Sequence, residues 1–261
     1  MENESIKVLP FKSISEVTKE SLSYIDARRK HIITPLKTQW NKFNRVCCGG
    51  VEPNMIFTIA GGSGSGKSAF VNTLESDLID LNKRQNIIVL SFSFEMVSSR
   101  NVGRKLSNRL RRTTSELYSA EADLTDSEFQ KVETTAKEIK DYPIYYVDTP
   151  SSVEEIEATI DYFHENMAKG KWLVVILDHA LLVEGDSERG TIVNLQKMFI
   201  RKKKLKNTSI IQITQLNRNI EQPERLNNPS SHYPMRSDLS ASDAIFQASD
   251  YVIVLSRPEL Y

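Results

Sequence analysis

The sequence predicts an α/β fold, a mainly parallel twisted sheet flanked by helices, and three observations support it. From Phe57 onward, short β-branched or aromatic runs alternate with longer amphipathic stretches, as strands joined by crossover helices do. A glycine-rich turn, Gly61 to Ser68, leads directly from one apolar run into a helical stretch. The 261 residues, 39% hydrophobic and 26% charged, supply one sizeable core and little beyond it.

The first fifty residues differ from the rest. Ser13-Ile14-Ser15-Glu16 reads as a capping box, in which the serine hydroxyl and the glutamate satisfy each other's backbone donors at a helix start. The helix it opens has a narrow apolar side of Ile14, Val17, Leu22 and Ile25, so it is expected to pack on something else. The predicted strands are Met55–Ala60, Ile87–Phe92, Ile144–Val147, Leu173–Leu177, Ile210–Thr214 and Tyr251–Leu255. Between them the periodicity predicts helices over Lys67–Leu81, about Val97–Arg112, Asp126–Lys140, Val153–Ala168, Ile192–Lys206 and about Ser242–Ala248. Asn219–Ser237 is polar and holds Pro223, Pro229 and Pro234; a loop of that length in a compact domain is expected to be functional or mobile.

Composition excludes several classes. No run approaches the roughly 18 apolar residues of a membrane span, and the N-terminus lacks the basic-then-apolar pattern of a signal peptide. The expectation is a soluble, cytoplasmic protein. The only cysteines, Cys47 and Cys48, are adjacent and lack the spacing of a zinc site or disulfide framework. Basic and acidic residues number 34 each, so any polyanion binding must be local. Two basic clusters invite such binding: Arg100, Arg104, Lys105, Arg109, Arg111 and Arg112, and Arg201, Lys202, Lys203, Lys204 and Lys206. Neither has interleaved aromatics for base stacking, and both are expected on solvated helix faces.

The chemistry concentrates in Gly61-Gly62-Ser63-Gly64-Ser65-Gly66-Lys67-Ser68, a complete G-x-x-x-x-G-K-[ST] loop between a strand and a helix. Phosphate charge is dense. Glycines let backbone N–H groups converge on it, the helix N-terminus adds its dipole, Lys67 reaches the β/γ-phosphates, and Ser68 offers a hydroxyl to Mg²⁺. Ala69, at the start of the helix, completes the phosphate-binding set, and ATP with Mg²⁺ is the expected ligand.

Such a loop also needs an acidic residue for the metal and a group that handles the attacking water, both at the carboxyl ends of neighbouring strands. The apolar run Leu173–Leu177 ends in Asp178, placed to hold Mg²⁺. Glu95 follows the strand Ile87–Phe92, where a carboxylate orients and deprotonates water. Gln215, in Thr214-Gln215-Leu216-Asn217-Arg218, ends another buried strand and is expected to sense the γ-phosphate. Arg218 joins the expected nucleotide-binding set.

These blocks together resemble the C-terminal ATPase domain of DnaB-type replicative DNA helicases, over about residues 30–261. Thr34-Pro35-Leu36 through Phe43-Asn44, then Gly49-Gly50-Val51-Glu52-Pro53-Asn54, looks like the family's entry segment. Ser93-Phe94-Glu95-Met96 is similar to its Ser-Leu-Glu-Met signature. Tyr146-Val147-Asp148-Thr149-Pro150, Asp178, the Gln215 block, Arg236-Ser237-Asp238-Leu239 and Ala248-Ser249-Asp250 follow in order. The resemblance implies a RecA-like ATPase fold over 31–261 preceded by an arm and linker helix over 1–30. It further implies a hexameric ring that hydrolyses ATP at subunit interfaces and translocates on single-stranded DNA. The linker helix would dock on a neighbouring subunit, and primase or a helicase loader are implied partners.

Departures accompany the resemblance. Where the family supplies Arg and Glu near the DNA backbone, this chain has Ser240 and Ala241, and where a Tyr and a Gln follow the strand-end Asp it has His179 and Leu181. The family also continues beyond the position of Tyr261, through a strand whose Lys-x-Arg pair reaches the adjacent subunit's γ-phosphate. The alternatives are an ATP-binding paralogue or loader-like module that joins a helicase ring without driving it, and a recombinase-type relative, which would lack the Phe-Glu-Met and Gln-Leu-Asn-Arg pairing.

Overall fold

A computed structural model describes residues 9–121, 123–228, 233–239 and 243–257. The chain divides into two units, Met1–Pro35 and Leu36–Tyr261. In the first, α1 (Ile14–Arg29) begins at the predicted capping box: the Glu16 N–H donates to Ser13 Oγ at 3.2 Å and the Ser13 N–H donates to Glu16 Oε2 at 2.7 Å. Arg28 and Arg29 in its last turn oppose the helix dipole. None of its residues is buried, and Ile14, Leu22 and Ile25 are 83%, 61% and 58% exposed.

The second unit is a sheet of strands β1 (Ile56–Gly61), β2 (Ile87–Ser93), β3 (Ile144–Val147), β4 (Trp172–Asp178), β5 (Thr208–Gln215) and β6 (Tyr251–Leu255). They run in the order β3-β2-β4-β5-β1-β6, with every pairing parallel. Each predicted strand is present within two residues of its expected ends. Helices α2 (Asn41–Val46), α3 (Lys67–Asp80), α4 (Ser98–Leu110), α5 (Thr114–Tyr118), α6 (Asp126–Ile139), α7 (Val153–Tyr162), α8 (Glu188–Lys202), α9 (Pro223–Leu226) and α10 (Asp243–Ala248) connect them.

Parallel strands buried on both faces carry apolar residues at successive positions, not alternate ones, and β4 does so. Its Leu173, Val175 and Leu177 pack with Ile156 and Ile160 of α7, Leu195 and Phe199 of α8, and Ala248 of α10. The intervening Val174 and Ile176 pack with Val71, Leu74 and Leu78 of α3 and Phe43 of α2. Register then lines up the strand ends that matter: Ser93 lies opposite Asp178, and Gly61 opposite Gln215.

Several expectations are corrected. The stretch Val153–Ala168 is not one α-helix; α7 widens into a π-helical turn over Phe163–Ala168 and stops at Lys169 and Gly170, both at positive φ. Helix α8 starts at Glu188, four residues earlier than expected, because Ser187 caps it by accepting the Gly190 N–H at 3.2 Å. It also ends earlier, where the Asn54 amide donates to the Lys203 and Leu205 carbonyls. Helices α2 and α5, six and five residues long, are too short to show a period. Asn219–Ser237 is not a plain loop: α9 lies within it, and Arg225 forms an ion pair with buried Asp238 at 2.5 Å. Pro229, Ser240, Ala241 and Ser242 fall outside the described residues.

The basic clusters are largely paired. Arg109 bridges Asp80 and Glu138, Arg112 meets Glu128, and Arg201 and Lys202 meet Glu157. One residue overturns the solvated-face expectation outright: Lys105 is 3% exposed and bonds Glu75 at 2.6 Å.

Candidate active site

The site is built where β1, β2, β4 and β5 end. After β1 the chain turns through Gly61–Gly66, with Gly64 and Gly66 at φ of 73° and 90°, a conformation that costs L residues with a Cβ about 1 kcal/mol or more. Gly61 is required for space as well, since a Cβ there would lie 2.7 Å from the Leu255 carbonyl oxygen. Helix α3 then starts at Lys67, and its free N–H groups face the loop. Ser63, Gly64, Gly66 and Ala69 are exposed, whereas Gly62, Ser65 and Lys67 are buried.

Lys67 Nζ donates to the Gly61 and Gly62 carbonyls at 2.9 and 2.7 Å, holding the ammonium within the turn. Burial lowers its pKa, while the charges of Asp178 and Glu95 raise it. The two strand-end carboxylates thus share the field of one ammonium. Asp178 stands on the α3 side of the sheet, continuing the alternation of Val174 and Ile176. Burial is the main cause that lifts its carboxyl to about 6; the Ser68 hydroxyl bond, Lys67 and Arg104 work against it, and Glu95 adds to it. Glu95 itself is exposed. The neighbouring Phe94 N–H donates to the Asp178 carbonyl at 2.9 Å, which ties its segment to β4.

Among the described residues of this region, three polar atoms are buried without a hydrogen-bond partner: Ser65 Oγ, Asp178 Oδ1 and Arg104 Nη1. Such groups are costly unless something bonds them. A hydroxyl on Ser68 bonded to a carboxylate that keeps one oxygen free is an all-oxygen donor set, and it fits Mg²⁺, which takes few protein ligands. Gln215 ends β5 beside Gly61, with the Leu216 N–H donating to the Gly61 carbonyl at 3.1 Å. Arg218 is exposed at the head of a 3₁₀ turn, Arg218–Glu221.

The family model for the DnaB-like helicase C-terminal domain matches residues 35–261. The chain belongs to that family. This DnaB-like domain is 25% identical over 221 residues to a probable replicative DNA helicase of Trieres chinensis, covering 81% of this chain and 45% of that protein. It is 25% identical over 238 residues to the replicative DNA helicase DnaB of Buchnera aphidicola subsp. Baizongia pistaciae, covering 88% and 48%. The chain therefore spans about half the length of the curated relatives it matches. Among solved structures, a separately determined ATPase domain superposes with a TM-score of 0.77 at 21% identity, covering 93% of this chain and 84% of that one. A DnaB-like replicative helicase, described with its interactions with primase, gives 0.75 at 21%, covering 97% and 58%. Both superpositions support the RecA-like fold.

In the DnaB-like domain, the structure brings Lys67, Ser68, Asp178 and Glu95 together. Sequence reasoning missed Arg104, which it placed on a solvated face; its charge acts on Asp178 and its Nη1 is buried. The periodicity of α4 points the other way: its aliphatic residues Val102, Leu106 and Leu110 recur every four residues, a spacing that assigns that stripe to the core. The buried residues of that helix are Asn101, Gly103, Lys105 and Ser107, so the polar side faces inward. His179 is buried, with Nδ1 accepting the Leu181 N–H at 3.2 Å, and burial lowers its pKa.

Proposed function

We propose that this chain is the ATP-hydrolysing motor domain of a replicative DNA helicase that works as a ring on single-stranded DNA. The observation that carries it is the meeting of Lys67, Asp178 and Glu95 in one electrostatic field beside the phosphate loop. Backbone N–H groups of 61–69 and the Lys67 ammonium bind the β/γ-phosphates. Ser68 and Asp178 would hold Mg²⁺, which when bound neutralises charge on the phosphate oxygens. Glu95 accepts the proton of the attacking water, and its exposure gives water access. Arg104 adds positive charge beside the carboxylates, Gln215 senses the γ-phosphate from the end of β5, and Arg218 lies beyond it at the loop that answers hydrolysis.

The exposed apolar residues of α1 are the surface for self-association, with a neighbouring copy as the partner and a hexamer as the expected ring. Primase or a loader would then meet the assembled protein in the cytoplasm. Among the described residues no helix is long and apolar enough to cross a membrane.

The test is Glu95→Gln. Loss of a positioned general base costs about 10²–10⁴-fold, so phosphate release should fall by that factor while ATP affinity stays within about twofold. A variant that keeps its rate removes Glu95 from the mechanism. ATP-dependent binding to a separate helicase ring, without hydrolysis stimulated by single-stranded DNA, would favour the ring-associated module over the motor.

A further inference from the structure

Behind Glu95 lies a buried polar chain that the hydrolytic site does not use directly. Ser93 Oγ donates to the Met96 carbonyl at 2.7 Å, closing the backbone turn that carries Glu95. Asn101 Nδ2 of α4 donates to Ser93 Oγ at 2.6 Å. Asn72 Nδ2 of α3 donates to the Asn101 carbonyl at 3.0 Å, and Lys105 Nζ donates to the Asn72 carbonyl at 3.0 Å. Lys105 also bonds Glu75 Oε2 at 2.6 Å, where the Tyr146 hydroxyl donates at 2.9 Å, and Ser91 Oγ donates to Glu75 Oε1 at 2.6 Å. Ser91, Ser93, Asn72, Glu75, Asn101 and Lys105 are all buried. The chain thus runs without a gap from the phosphate-loop helix α3, through α4, to the turn holding Glu95.

We infer that Ser93 and Asn101 are positioning residues for Glu95, and that the buried chain fixes its turn to the phosphate-loop helix so that carboxylate and bound phosphates keep one geometry. Two further bonds hold the same segment from its flanks: the Phe94 N–H to the Asp178 carbonyl, and the Ser98 N–H to Asp148 Oδ2, both at 2.9 Å. Both of these start from backbone donors, whereas the Ser93–Asn101 link joins two side chains, so substitution can cut it from either end. Misplacing a reacting group by about 1 Å can cost on the order of 10²-fold in rate, so a small loosening is kinetically visible. The inference rests on Glu95 as the base.

The experiment uses the full chain with Ser93→Ala, Asn101→Ala, Glu95→Gln and the combinations of each of the first two with the third. Without nucleotide, amide hydrogen exchange across Phe94–Ser98 should quicken by about tenfold or more in Ser93→Ala and Asn101→Ala, with α3 exchange unchanged. ATP hydrolysis should fall about tenfold or more at saturating ATP while ATP affinity holds within about twofold. In the Glu95→Gln background neither substitution should lower the rate further, as expected of residues acting through one group. Unchanged exchange overturns the inference, as does a rate loss that persists in the Glu95→Gln background. So does a parallel loss of ATP affinity. A Glu95→Gln chain with its full rate overturns the role of Glu95 and this inference together; a Glu95→Gln loss beside an unaltered Ser93→Ala rate overturns the inference alone.

Discussion

Two buried charged regions lie on the same side of the sheet, and they are built to opposite rules. Around Glu75 and Lys105 both carboxylate oxygens accept bonds, and the ammonium has a carboxylate and a carbonyl to donate to. Around Asp178 the accounting is left open: Asp178 Oδ1, Ser65 Oγ and Arg104 Nη1 are buried without a partner among the described residues. A satisfied network rigidifies, whereas unsatisfied groups store a desolvation cost that a ligand can recover. The difference separates a structural ion pair from a candidate binding site, although both consist of charged residues inside a protein.

The largest stability effect should come from cutting the satisfied pair. Glu75→Ala leaves the Lys105 ammonium buried with one carbonyl for company, and breaking such a pair costs about 3–5 kcal/mol. Urea unfolding measures it. The double substitution Glu75→Met with Lys105→Met should recover part of the loss, because the charge is gone, while the Ser91 and Tyr146 hydroxyls that donate to Glu75 lose their acceptor. A Glu75→Ala chain within about 0.5 kcal/mol of the parent would show that the pair is solvated, and the contrast with Asp178 would fail.

How much of this was legible in the sequence follows the same division. The phosphate loop, Asp178, Glu95 and the strands are local patterns: a spacing, an apolar run, a carboxylate at its end. The buried network is not local. Glu75 and Lys105 are separated by 30 positions, and α4 carries its aliphatic residues at helical spacing on Val102, Leu106 and Leu110 while burying Asn101 and Lys105. Amphipathic periodicity assigns the apolar stripe to the core; here the partners waiting on α3 and β2 reverse it. Arg104 was misplaced for the same reason. The start of α8 was missed on a smaller scale, because Ser187 as a cap is recognisable only once the Gly190 N–H is seen to reach it.

A smaller effect, opposite in sign, is expected at the open site. The Asp178 carboxyl titrates near 6, above the ordinary aspartate value of 3.8, so the folded chain binds a proton more tightly than the unfolded one. Its contribution therefore favours folding below about pH 4, weakens as pH rises, and stands as a full penalty above about pH 6. Asp178→Asn should stabilise the nucleotide-free chain by roughly 2 kcal/mol at pH 8, with the gain shrinking to nothing near pH 4. The same variant should lose the Mg²⁺-dependent part of ATP binding. Gain of stability with loss of ligand is the signature of an open site, and thermal melts at the two pH values with and without Mg-ATP read both halves. Destabilisation at pH 8 would place Asp178 with the satisfied pair.

The smallest effect is expected on the other face of the sheet. Thr214 Oγ1 is also buried without a partner among the described residues, yet strand alternation puts it on the opposite face from Ile211, Ile213 and Gln215. There it shares a side with Gln212, which bonds Gln196 and Thr58. An orphan on that face cannot be assigned to the phosphates by position. Thr214→Val keeps the shape and removes the hydroxyl, and relieving an unsatisfied buried donor should add about 1 kcal/mol in urea unfolding. ATP binding and hydrolysis should stay as in the parent. A gain in stability with unchanged chemistry would mark Thr214 as a plain packing defect and confine the open region to the α3 side. A fall in DNA-stimulated hydrolysis, with ATP affinity intact, would extend the open region through the sheet and give this hydroxyl a part in coupling the two faces.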